Sequence, residues 1–194
     1  MRKLIESALV SLDGVTGAPE GWANFDAEDT AYSMEQLGHY DAFIMGRVTY
    51  ENFYANWGHM TGNPYIDRIS AMPKYVASRS LTQTAWNATL LGPDPSAAIA
   101  RLKDQPGKDL IKYGTSRLDD TLVRDDLVDE FRFWIRPVVV GSGQRLFEDV
   151  DTSGLDLRLT DEKRLGNGSV ILTYTPGRSA SRMKLAPASN AEGK

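Results

Sequence analysis

Asp41-Ala42-Phe43-Ile44-Met45-Gly46-Arg47-Val48-Thr49-Tyr50-Glu51 is the stretch on which the fold turns. Ala42 to Met45 is an apolar run too short for a helix and suited to a strand buried on both faces. Gly46 breaks the run, and Arg47, Thr49 and Glu51 then alternate with Val48, Tyr50 and Phe53 in a pattern that a helix carries. A strand, a glycine and a helix opening on Arg and Thr form an anion site. The first helical N–H groups lack partners, the helix dipole is positive there, and glycine lets a phosphate approach the backbone. Glycine after a buried strand is also ordinary turn chemistry, so the rest of the chain decides between the two readings.

The chain has 194 residues, 41% of them hydrophobic and 25% charged, which is the composition of one globular domain able to bury a core. A net charge of -4 argues against a general binder of nucleic-acid backbones, so any anion site is local. There is no cysteine, which excludes disulfides, thiolate catalysis and Cys-based zinc sites. His39 and His59 fall in separate irregular segments with no metal-ligand spacing, and no metal is expected. The apolar runs are too short to span a bilayer, and Arg136 interrupts the one from Trp134 to Val140. Met1-Arg2-Lys3 precedes a run broken by Glu6, a poor signal peptide and a good first strand, so the expected location is the cytoplasm.

Taken in order, residues 3–10 read as a strand ending at the turn Asp13-Gly14. Residues 14–26 form a long Gly- and Pro-containing loop in which Trp22 and Phe25 either wall a pocket or pin the loop to the core. Ala27 to Leu37 reads as a helix with Asp26 as N-cap and Glu28 and Asp29 in its first turn. Residues 55–73 read as irregular, Lys74 to Ala77 and Trp86 to Leu90 as strands. Asp94-Pro95 caps a helix through about Lys103. Asp109 to Tyr113 is a strand ending in Gly114-Thr115-Ser116-Arg117, followed by a helix carrying Leu118, Leu122 and Val123. Asp119-Asp120 and Asp125-Asp126 read as solvated helix-end charges. Leu127 to Val140 reads as one long central strand. Leu155 to Leu165 and Ser169 to Thr175 form a hairpin across Gly166-Asn167-Gly168. The domain therefore covers 1–176, and 177–194, rich in Ser, Ala and Lys, is expected to be a disordered tail. Helices alternating with strands, then antiparallel strands, indicate an α/β fold with a mostly parallel sheet and an antiparallel C-terminal hairpin.

Three strands end in comparable chemistry: Gly46-Arg47-Val48-Thr49, Ser78-Arg79-Ser80 and Gly114-Thr115-Ser116-Arg117. In an open parallel sheet the carboxyl ends of strands share one edge, where ligands bind. Two of these ends open onto helix N-termini, and the third offers a guanidinium between two hydroxyls. Together they suit a pyrophosphate and a separate monophosphate, the phosphates of NADPH, since Arg holds such a group through bidentate charged bonds.

Ile44 to Glu51 resembles the strand–helix joint of dihydrofolate reductases. Ser11-Leu12-Asp13-Gly14, Leu127-Val128-Asp129-Glu130 and Pro137 to Phe147 are more similar to the reductase domain of riboflavin biosynthesis. The order and spacing of these motifs over residues 3–175 identify the chain as a member of the dihydrofolate-reductase-like superfamily. That resemblance implies a three-layer α/β/α fold and an NADPH-dependent reductase that passes a hydride to a small pterin- or aminopyrimidine-like heterocycle. It places Gly46, Arg47 and Thr49 at the first phosphate joint and Ser78 and Arg79 at the adenosine 2′-phosphate. Gly114, Thr115, Ser116 and Arg117 fall at the pyrophosphate loop, and Ala8 and Leu12 near the nicotinamide. Where dihydrofolate reductases carry a Gly-Gly pair this chain has Gly114-Thr115. Their helix carboxylate falls near Thr30, where neither Glu28 nor Asp29 matches, so the catalytic acid is unassigned. Asp13, Trp22, Phe25 and Asp29 are the substrate-side candidates. Two other functions stay open. One is 5-amino-6-(5-phosphoribosylamino)uracil reductase, against which stands the lack of an attached deaminase domain with His and Cys ligands. The other is a nucleotide-binding module without catalysis. The resemblance also implies a homodimer through the strand near 129–140; the aromatic run Phe131, Phe133 and Trp134 permits it, and a central core strand would look identical.

Overall fold

The structure, a computed structural model, describes residues 1–177. Of the expected tail only Gly177 falls among them, as the last residue of a strand. Among the described residues eight strands form one sheet: β1 (Leu4–Ser11), β2 (Tyr40–Gly46), β3 (Lys74–Ala77), β4 (Ala88–Leu90), β5 (Asp109–Tyr113), β6 (Glu130–Arg136), β7 (Asp156–Arg164) and β8 (Val170–Gly177). Among the same described residues five α-helices accompany them: α1 (Ala27–Leu37), α2 (Arg47–Trp57), α3 (Pro64–Ala71), α4 (Pro95–Asp104) and α5 (Leu118–Arg124). The strand order is β4-β3-β2-β5-β1-β6-β8-β7. The first six run parallel, and β8 and β7 add an antiparallel edge.

Side chains that alternate along the strands divide the core into two layers. Leu4, Ala8 and Val10 of β1, Ala42 and Ile44 of β2 and Leu110 of β5 pack beneath α4 and α5, against Ile99, Leu102 and Leu122. Ile5, Phe43, Met45 and Ile111 face the other way, against Leu37 of α1, Tyr50 of α2 and Ile69 of α3. The expected burial of Ala42 to Met45 on both faces is observed: none of the four is more than 2% exposed. A smaller cluster of Tyr32, Trp134, Leu165 and Ile171 seals α1 onto the hairpin end of the sheet.

Four segments depart from expectation. Residues 55–73 are largely helical, since α2 runs to Trp57 and α3 fills Pro64–Ala71. Asn63 caps α3 by accepting from the N–H groups of Tyr65 and Ile66, Pro64 stands where its missing N–H costs nothing, and Ile66 and Ile69 are buried. Trp86 and Asn87 have left-handed φ values of 57° and 53°, so they turn the chain and β4 starts only at Ala88. The long strand expected over Leu127 to Val140 shortens to Glu130–Arg136, because Pro137 cannot donate to a ladder. Beyond it the chain leaves the sheet, with Val139 exposed. β6 pairs with β1 on one side and β8 on the other. It has no free edge for a second copy of the chain, and Phe131 and Phe133 sit in the core. Finally, Asp119 is buried rather than solvated. No helix among the described residues is long and apolar enough to cross a membrane.

Candidate active site

β3, β2 and β5 are neighbours in the sheet, so their carboxyl ends open side by side. Ser78-Arg79, Gly46 to Thr49 and Gly114 to Arg117 all line one continuous cleft of about 1890 Å³. That exceeds the roughly 300–1,000 Å³ of an ordinary small-ligand pocket and leaves room for a dinucleotide beside a second, small molecule.

The joint at Gly46 is built for close approach. A Cβ there would lie 3.2 Å from Ser116 Oγ and 3.3 Å from Ser116 Cβ, so the ends of β2 and β5 touch at this point. Gly46 is the N-cap of α2 in extended conformation, with no capping side chain and no acid in the first turn. The N–H groups of that turn are left to a ligand. Arg47 lines the cleft as an exposed side chain paired with Glu51 at 2.7 Å. Gly114 adopts φ +68°, and a Cβ on it would meet nothing. Its glycine character serves the left-handed turn and leaves open space above the loop. Thr115 Oγ1 lies 2.9 Å from Thr16 Oγ1, linking the ends of β5 and β1. The loop before α5 is partly occupied already: the Ser116 N–H donates to Asp119 at 2.8 Å and the Ser116 hydroxyl to the same carboxylate at 3.2 Å. Of the two helix starts, α2 is therefore the open one. Ser78 Oγ accepts from the N–H groups of Ser80 and Leu81, shaping the turn that presents Arg79. Arg79 and Arg117 are both exposed and form no ion pair with the described residues.

The side chains expected near the nicotinamide are displaced by one position. Ala8 is 2% exposed and belongs to the layer beneath α4 and α5, while its neighbours Ser7 and Leu9 line the cleft. The period of two along a strand puts them on opposite faces. Leu12 is carried away by the turn from Ser11 to Val15 and is 63% exposed, its N–H donating to Val138. Asp13 accepts from Ser11 Oγ at 2.7 Å, the Val140 N–H at 3.1 Å and the Gly141 N–H at 2.7 Å. These bonds hold its carboxyl well below the usual carboxylate range. It ties two loops together and does not line the cleft. Trp22 donates from its indole to Gly17 O at 2.9 Å, pinning the loop, and is likewise outside the cleft. Phe25 does line it, 6.3 Å from Trp134 between ring centroids.

Asp29 is fully buried and absent from the cleft wall. One oxygen accepts from Arg136 at 2.6 Å, and the other from Asn167 Nδ2 at 2.9 Å and from the Asp26 N–H in a capping box. Its charge is spent on architecture. The part of α1 that faces the cleft is Thr30, Ser33 and Gln36, spaced three apart. Ser33 and Gln36, with Tyr113 of β5 and Arg132 of β6, line the cleft without having been site candidates in the sequence, where Thr30 marks only the place of the family's carboxylate and Trp134 only a dimer contact. The three-residue spacing on α1 was visible there, but nothing said which face of the helix turned inward.

A second missed feature lies under the loop. Lys112 is buried, 2.6 Å from Asp119 and 3.8 Å from Glu6, and donates to Gly114 O at 2.6 Å. Glu6 is fully buried, and neither of its oxygens has a hydrogen-bond partner. Burial pushes its carboxyl up to about 8, with Lys112 opposing and Asp119 adding to the shift. The acids and the amine lie one layer below the strand ends and brace the loop from within.

Comparison with known proteins follows the same lines. The model of the RibD C-terminal domain matches residues 2–171. The uncharacterized protein YwjB of Bacillus subtilis (strain 168) is 32% identical over 178 residues, spanning 89% of this chain and 97% of its own. Among solved structures, the diaminohydroxyphosphoribosylaminopyrimidine deaminase/5-amino-6-(5-phosphoribosylamino)uracil reductase of Thermotoga maritima superposes with a TM-score of 0.64 at 12% identity. That match covers 91% of this chain and 57% of that one. Dihydrofolate reductase from Enterococcus faecalis, complexed with NADP(H), superposes with a TM-score of 0.60 at 13% identity, over 90% of this chain and 96% of its own.

Proposed function

Since the chain belongs to the RibD C-terminal domain family, we propose that it is an NADPH-dependent reductase that passes a hydride to a small heterocyclic molecule. The observation that carries the proposal is the set of three phosphate grips on adjacent strand ends, one of them a helix start with free N–H groups. In this reading the first turn of α2, with Thr49, and the Gly114 to Arg117 loop hold the pyrophosphate, while Ser78 and Arg79 hold the 2′-phosphate. NADPH supplies the hydride. The residues of this chain place the two ligands against each other and keep water out, with Ser7 and Leu9 under the ring to be reduced and Phe25 at the mouth. Any self-association uses a surface other than the edge of β6, and a mass measurement in solution reports it.

The test is cofactor titration on the purified full chain, followed by fluorescence of the reduced nicotinamide. Saturable NADPH binding is expected, with a preference over NADH that Arg79→Ala lowers by about 10- to 100-fold, the value of roughly 1.5–3 kcal/mol for a charged hydrogen bond. An unchanged preference in that variant removes the 2′-phosphate assignment. No saturable binding of NADPH removes the reductase reading.

A further inference from the structure

Glu6, Lys112 and Asp119 meet beneath the Gly114 to Arg117 loop, each supplied by a different element. Glu6 on β1 is the register partner of Lys112 on β5, and Asp119 of α5 lies 2.6 Å from that lysine. None of the three is more than 1% exposed. They sit in the apolar layer that holds Leu4, Leu110 and Leu122. The loop above is held through two of them. Lys112 Nζ donates to Gly114 O at 2.6 Å. Asp119 accepts from the Ser116 N–H at 2.8 Å and from the Ser116 hydroxyl at 3.2 Å. The shape of the loop therefore follows the position of one buried ammonium and one buried carboxylate.

Glu6 sets the charge balance of the cluster. With Glu6 neutral, Lys112 and Asp119 cancel, and the added O–H of Glu6 has an acceptor in Asp119. As a carboxylate, Glu6 has no donor on either oxygen, and the Lys112 ammonium at 3.8 Å is beyond hydrogen-bond reach. Ionised, it would draw that ammonium toward itself and away from Gly114 O and Asp119. It would also leave one net negative charge below the loop, where a low dielectric strengthens its repulsion of a pyrophosphate above. Among the described residues the charged groups acting on Glu6 are Lys112 of β5 and Asp119 of α5. α4 and β6 turn apolar side chains, Ile99 and Phe131, into the same layer, and Lys103 at the end of α4 is engaged by Asp129 at 2.6 Å.

We propose, on the basis of the reductase reading above, that Glu6 is a positioning residue for the cofactor: the loop grips the pyrophosphate while Glu6 is protonated, and NADPH binding restores that proton when it is missing. Burial pushes this carboxyl up to about 8, which sets the range in which the coupling shows. NADPH affinity is full below that value and falls as pH rises through it. By reciprocity the bound cofactor raises the affinity of Glu6 for its proton.

The experiment measures NADPH binding to the full chain by calorimetry from about pH 7 to about pH 9.5, above the second ionisation of a phosphate ester near 6, so that the cofactor's phosphates keep one charge state. In the parent, Kd is expected to rise by about 5-fold or more across that range, the lower end of ordinary coupling between sites. Titrations at about pH 8.5 in two buffers of different ionisation enthalpy are expected to show net proton uptake on binding. In Glu6→Gln the Kd is expected to stay level and the uptake to vanish. Burial also lowers Lys74 to about 8. That lysine is bonded to the carbonyls of Ile69 and Met72 beside α3, and any dependence it causes persists in the variant. Glu6→Met, uncharged and of similar length, takes the place of Glu6→Gln if the latter does not fold. A level Kd in the parent, or a rise and an uptake that the folded variant retains, overturns the inference and leaves the reductase reading standing. No saturable NADPH binding by the parent at neutral pH, measured first, overturns both.

Discussion

Glu6 shows how much one buried atom group decides. Its carboxyl sits on β1 beside Asp119, with Lys112 as the nearest cation, and burial pushes its pKa from an ordinary 4.5 up to about 8. The folded state therefore holds a proton that the unfolded chain gives up above the ordinary value. Stability from this proton is fully present below about 4.5 and is lost as pH rises through 8. Glu6→Gln, which keeps the neutral shape, is expected to flatten that slope. Urea unfolding at pH 5, 7 and 9 measures it, and parallel slopes in parent and variant sink the assignment. In sequence, Glu6 was only a polar break in an apolar run, and Asp119 one of a pair of helix-end acids. The burial of both, and their meeting with Lys112, arises from three elements stacked by the fold. Asp29 teaches the same point from the other side: its position in the first turn of α1 was plain, but Arg136 and Asn167, which use its charge, lie more than a hundred residues away.

Local chemistry marks some elements of the chain and hides others. Asp94-Pro95 announced α4 through an N-cap followed by a proline at the first helical position, and Asn63-Pro64 announces α3 by the same chemistry. The surrounding glycines and a second proline hid it. The expected cost of Asn63→Ala is about 1 kcal/mol, the usual value of an N-cap, seen as a lower urea midpoint with unchanged m. The joint between β2 and α2 was legible because a buried strand, a glycine and a helix opening follow from local chemistry alone. What was not legible is why the glycine must stay. Gly46 has an ordinary extended φ of −76°, so alanine fits the backbone; its Cβ would crowd Ser116 from a different strand. Gly46→Ala is therefore expected to fold normally and to weaken NADPH binding several-fold by parting the two loops. Unchanged affinity in a folded variant counts against a shared grip.

At the scale of the whole molecule the site depends on strand order. Ser78, Gly46 and Gly114 are far apart in the chain and adjacent only because β3, β2 and β5 lie side by side. A ligand that bridges three strand ends binds the folded state alone, so saturating NADPH should raise the melting temperature. At a hundred times Kd the gain is about 2.7 kcal/mol, and a chain of this size shifts by roughly 2–4 °C per kcal/mol. A lack of shift at saturation is incompatible with a site spread over these strands.

The sequence by itself determined the α/β class, the mostly parallel sheet with its antiparallel hairpin, the positions of α1, α2, α4 and β5, and the three phosphate-type motifs. Those follow from periodicity, capping and glycine placement, which act over a few residues. Only the tertiary structure decided that Ser7 and Leu9 face the cleft and Ala8 does not, that α1 presents Thr30, Ser33 and Gln36 in place of a carboxylate, and that β6 is interior. Those depend on which face of each element is covered. Coverage is set by contacts between residues distant in the chain, which no local pattern contains.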